Sequence, residues 1–166
     1  VLKYTDTQQN PNYRIYNRSH KDLKSDISIS LKNLTDPIEI QNMIDKKKKL
    51  HEKIIYILAN KLKQKFKIYE DPKGFDLYAY DSENIQSYLF EVKTIENENF
   101  ISQLRSAIIQ LNEYEFMNKE FYQHDIFLTN IKKLIVFSDN PKNLLNYKRY
   151  IKYLEFIKKL DIDFLF

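Results

Sequence analysis

The sequence predicts an α/β fold, a mixed β-sheet with helices on both faces. Two observations carry this. Segments with helical apolar spacing alternate with short strand-like runs, in the order α-β-β-β-α-β-α-β. One of those runs, "KLIVF" (133–137), is apolar nearly throughout, as expected for a central strand covered on both faces. With 166 residues, 43% of them hydrophobic, the chain can bury one core. A single glycine and four prolines favour long regular elements over tight turns.

Residues 1–40 read as an N-terminal extension or the end of a preceding segment, and residues 41–166 as the domain proper. "QQNPNYRIYNRSH" (8–20) is polar and loop-like. In "SDISISLKNL", Ile27, Ile29 and Leu31 alternate with Ser28 and Ser30, which supports one short strand over about 26–32. A long helix is expected over about 38–66, opened by Asp36-Pro37. Its apolar stripe is Ile44, Leu50, Ile54, Ile55, Leu58 and Leu62. Strands follow at about 67–69, 75–80 and 86–95, separated by the turn chemistry of "DPKG" (71–74) and "DSEN" (81–84). A second helix covers about 100–117 and carries Leu104, Ala107, Ile108, Leu111 and Phe116. After the strand at 133–137, Asp139-Asn140-Pro141 opens a third helix over about 141–160, and "DIDFLF" forms the last strand.

Composition removes whole classes of chemistry. Without cysteine there is no disulfide framework, no cysteine zinc site and no thiol nucleophile. No apolar run approaches the roughly 18 residues of a membrane span, and no signal-peptide pattern opens the chain. A cytoplasmic location is the expectation. A start at Val1 rather than Met suits an excerpt from a longer protein. A net charge of +4 mildly favours an anionic partner. Nine lysines and one acid, Glu52, occupy Lys46 to Lys67. That run is either a solvated face or a phosphate-attracting flank, with Lys46, Lys47, Lys48 and Lys49 at its head.

The chemistry concentrates in "GFDLYAYDSENIQSYLFEVKTI" (74–95). Strand alternation puts Asp76 on one face with Tyr78 and Tyr80, opposite Phe75, Leu77 and Ala79. Glu91 and Lys93 lie opposite Phe90 and Val92. Pairing through the "DSEN" turn brings Asp76 and Glu91 together near one end. Two carboxylates without a cation repel, and a hard divalent ion relieves that repulsion. Mg²⁺ takes one or two carboxylates plus waters, and the backbone carbonyl of Val92 offers a third protein oxygen. Lys93 can hold or deprotonate the attacking water of a phosphodiester hydrolysis. The plainer alternative is a surface salt-bridge cluster, worth roughly 0–1 kcal/mol.

"FD" (75–76), fourteen residues and then "EVK" (91–93) resembles the PD-(D/E)xK nuclease superfamily, with Phe75 where the pattern has Pro. The resemblance implies a restriction-endonuclease-like mixed sheet of core order αβββαβ, here with a further αβ at the C-terminus. It implies a metal-dependent endonuclease that hydrolyses DNA with Mg²⁺, or Mn²⁺ in its place, with Asp76 and Glu91 as ligands and Lys93 at the water. "QLRSAIIQLNEYEF" (103–116) is similar to a Q-x-x-x-A-x-x-Q-L-x-E-Y run in some restriction and defence nucleases. By that likeness Gln103 and Gln110 stand near the catalytic strand and position Lys93, the water or a phosphate. Arg105 and the lysines 46–49 become phosphate contacts. Glu52 is a further candidate ligand, as an acid on the first core helix. His51 shares the start of that helix's stripe and is read as a DNA contact or a solvent-facing residue. The implied setting is restriction or another defence against foreign DNA. Alternatives are a junction-resolving or repair nuclease, and a nucleic-acid-binding module of the same fold without turnover. The partners implied are DNA, a second copy for cutting both strands, and further domains or subunits that deliver substrate.

Overall fold

The computed structural model describes residues 14–17, 36–71, 74–117 and 130–166. Among these residues, six strands form one sheet: β1 (Arg14–Ile15), β2 (Lys67–Glu70), β3 (Leu77–Asp81), β4 (Gln86–Lys93), β5 (Ile131–Phe137) and β6 (Ile162–Leu165). They lie side by side in chain order. Pairing is antiparallel from β1 to β4 and parallel from β4 to β6. The connections dictate that switch. The short turn at 82–85 can only return the chain antiparallel, whereas parallel neighbours need a crossover. Helices α2 (Phe100–Met117) and α3 (Tyr147–Lys159) make the two crossovers and share one face of the sheet. Helix α1 (Pro37–Leu62) covers the other face.

The expected start of α1 is present. Asp36 caps the helix by accepting the Ile38 N–H at 2.8 Å, and Pro37 occupies the first turn. Its buried face differs from the expected stripe. Met43, Ile55 and Ala59 are buried, while Ile44 and Leu50 are 54% and 43% exposed. Stepping back by fours from Ala59 gives Ile55, His51, Lys47 and Met43, so two polar residues interrupt the apolar row. The site described below lies under that interruption.

On the other face, Leu104, Ala107 and Leu111 of α2 are fully buried against Tyr78, Leu89 and Ile135. The small Ala107 side chain lets the helix approach the sheet closely. Tyr150 and Ile157 seat α3 in the same cluster.

Several expectations are corrected. The loop-like "QQNPNYRIYNRSH" contains β1, tied to β2 by Arg14 Nε to Glu70 Oε1 at 2.9 Å. The strand expected at 26–32 lies outside the described residues. Asn140-Pro141 opens only a 3-10 turn, Pro141–Asn143, and the α-helix begins at Tyr147. Leu144 adopts an extended backbone and is buried, which breaks the helix between them. β3 begins at Leu77, two residues later than expected. Freed from strand alternation, Phe75 joins the Tyr78 side, with ring centroids 6.0 Å apart.

The β3–β4 turn is organised by Asp81, which accepts from the N–H groups of Glu83 and Asn84 at 3.0 and 3.1 Å. The Asn84 side chain, then these amides, hold the Asp81 carboxyl below its ordinary pKa. Among the described residues, Ile85 at φ 52° and Asp161 at φ 57° take left-handed backbone without being glycine.

Candidate active site

The late start of β3 creates the site. The β3–β4 register pairs Leu77 with Phe90, so Asp76 faces Glu91 just beyond the last paired residue. Where the backbone ladder stops, the Asp76 carboxylate continues it. Its Oδ2 accepts the Val92 N–H at 2.7 Å and lies 3.2 Å from His51 Nε2. On the opposite edge of β4, the Lys93 carbonyl accepts the Ser138 N–H at 2.9 Å. Amide and carbonyl groups alternate edges along a strand, so the Val92 carbonyl points toward the Asp76 side.

Glu91 and Lys93 project toward α2, opposite Phe90 and Val92, which pack under α1. Lys93 Nζ donates to Glu91 Oε1 at 2.7 Å and to Gln110 Oε1 at 2.5 Å. The Lys93 and Glu91 side chains are only 11% and 4% exposed. Gln110 is itself held, accepting from Ser106 Oγ at 2.9 Å and donating to Tyr114 Oη at 3.1 Å. The ammonium is therefore clamped from two sides by an oriented chain of partners.

Glu91 is the unbalanced member. Its Oε2 is buried and has no hydrogen-bond partner among the described residues. Burial, then the Asp76 charge, push its pKa up to about 7, against the opposing pull of Lys93. Burial draws the His51 imidazole toward neutral, but the Asp76 hydrogen bond and charge outweigh it, so its pKa stands above 6.5. Burial and the Glu91 charge push the Tyr114 hydroxyl to about 12, so it stays protonated at neutral pH.

Asp76, Glu91, Lys93 and Gln110 are thus brought together. The α1 residue in contact with Asp76 is His51; Glu52 approaches the far nitrogen of the same ring, at 4.0 Å from Nδ1. The sequence favours Glu52 over its neighbour His51 here, and counting back by fours from Ala59 is the signal that selects His51 instead. The Gln103 side chain makes no hydrogen bond to this set among the described residues, although its backbone anchors the first turn of α2. Of the four lysines, Lys47 turns toward the sheet and pairs with Glu96 at 3.0 Å, while Lys48, Lys49 and Arg105 are exposed.

Among the described residues, no group of three or more His, Asp or Glu side chains is arranged to hold a metal ion unaided. The donor set fits a smaller demand: one or two carboxylates and a carbonyl, with water completing the shell. The orphaned Glu91 Oε2 is what such an ion would satisfy. No helix among the described residues is long and apolar enough to cross a membrane.

The fold and site together define an α/β domain with a mixed six-stranded sheet and a buried carboxylate–lysine centre at the end of β4. No family model, curated protein or solved structure matches the chain.

Proposed function

We propose that this chain is a restriction-endonuclease-like nuclease that hydrolyses DNA phosphodiester bonds with Mg²⁺, in defence against foreign DNA. One observation carries the reading. A buried carboxylate with an unpartnered oxygen stands opposite a second carboxylate and beside a clamped lysine. A structural ion pair has no use for the orphan oxygen, whose burial without a donor costs stability. The connectivity α1-β2-β3-β4-α2-β5 is compatible with the core order αβββαβ.

Asp76, Glu91 and the Val92 carbonyl would hold the ion. Bound there, Mg²⁺ would neutralise the two carboxylates and draw charge from the phosphate. Lys93 donates from Nζ, which Glu91 and Gln110 hold in place. There it orients a water and stabilises charge on a phosphate oxygen. Gln110 fixes where Nζ points, and His51 fixes the Asp76 carboxylate.

Supercoiled plasmid incubated with the full chain and Mg²⁺ or Mn²⁺ is expected to be nicked or cut, and EDTA is expected to stop it. Salt-sensitive DNA binding with no metal-dependent cleavage would instead favour the module without turnover. Gln110→Ala is expected to lower kcat about 10- to 100-fold with KM little changed, as for loss of a residue that orients a catalytic group. Equal loss of DNA binding would contradict that role.

A further inference from the structure

The α3 helix carries a second basic surface, separate from the α1 lysines. Lys148, Arg149, Lys152, Lys158 and Lys159 face one acid, Glu155, along Tyr147–Lys159. Lys148, Lys152 and Phe156 follow at intervals of four on the solvent side, with Lys159 beside them. Phe156 is 49% exposed within this row. Lys148, Arg149, Lys152 and Lys159 have no carboxylate partner among the described residues, whereas Lys47, Lys93 and Lys133 do. The apolar face of α3 is used in the core, where Tyr150 and Ile157 are buried, so Phe156 stands among the basic residues and not on that face.

Its placement is informative. Lys93 leads into the 94–99 loop, and Asn97 of that loop accepts from the Tyr150 hydroxyl at 2.6 Å and from the Leu145 N–H at 2.7 Å. The start of α3 is thereby fixed at the active-site end of the sheet. From there the helix runs back toward the start of β6, which pairs at Lys133. Its basic row begins beside the candidate site and leads away for about 20 Å.

We infer that the outer face of α3 binds a single-stranded arm of the DNA substrate as it leaves the active site. The lysines contact successive phosphates and Phe156 stacks on a base. A duplex hides its base faces from such a side chain, whereas an unpaired strand exposes them. This inference rests on the nuclease reading for its substrate, but its test does not require turnover.

The test is fluorescence anisotropy of labelled oligo(dT) and of a duplex of equal length, with the full chain, in EDTA, across a salt series. Replacing Lys148, Lys152 and Lys159 together by Ala is expected to reduce the slope of log affinity against log salt for oligo(dT) by about 2. Phe156→Ala is expected to weaken oligo(dT) on the order of tenfold and leave the duplex unchanged. These residues are solvent-facing, so the thermal melt should not move. An unchanged salt slope in the triple variant would overturn the inference, as would a Phe156→Ala effect shared by duplex and single strand. So would unchanged DNA binding with loss of adhesion to phosphatidylserine vesicles. If the α3 variants behave as expected while plasmid stays uncut, the nuclease reading fails and the binding track stands.

Discussion

Lys93→Ala is expected to lower metal-dependent plasmid cleavage by about 10²- to 10⁴-fold, the range for losing a positioned proton-handling group. The side chain is 11% exposed and directed at Glu91 and Gln110, so it adds little to general attraction of DNA. Binding measured in EDTA should therefore stay within a few-fold, and the loss should fall on kcat. Lys93→Arg separates two roles. Arginine keeps the charge and the donors but cannot act as a base. Partial recovery with Arg would mean that a fixed cation is what the reaction needs. No recovery would favour proton transfer at Nζ or the tighter geometry of lysine. Cleavage that survives Lys93→Ala at full rate would remove Lys93 from the mechanism.

What the sequence disclosed and what it hid have physical causes. Strand alternation correctly set Glu91 and Lys93 opposite Phe90 and Val92, because β4 is a long, regularly paired strand. The same rule misplaced Phe75, which precedes the first paired residue of β3 and is free to turn. On α1, apolar spacing favoured Ile44 and Leu50 as buried, yet the face toward the sheet carries Lys47 and His51. A helix that covers a polar site breaks its own apolar pattern there, so the pattern misleads where the helix meets the chemistry. β1 has only two residues, too short for any periodicity to register. The family resemblance, not spacing, set Gln110 near the EVK strand, and its contact with Lys93 depends on how closely Ala107 lets α2 approach.

Glu91→Gln is expected to abolish cleavage while making the metal-free protein more stable at alkaline pH. The folded pKa of Glu91 is raised from 4.5 to about 7 by burial and the Asp76 charge. Across that interval the folded chain keeps a proton that the unfolded chain has lost, so stability falls as pH rises. The full effect is roughly 3 kcal/mol, complete above about pH 7. His51 acts with the same sign: its raised pKa contributes stability below 6.5 that is lost as pH rises through the folded value. Thermal melts in EDTA should therefore show the unaltered chain losing Tm between about pH 5 and pH 8, on the order of 5–10 °C for a chain this size. Glu91→Gln should flatten most of that decline, leaving the His51 part. Mg²⁺ should raise the Tm of the unaltered chain at pH 8 and leave the variant where it was, because a ligand stabilises only the fold that binds it. A variant less stable than the parent at pH 8, or a Mg²⁺ shift equal in both, would mean that Glu91 serves the fold and not an ion.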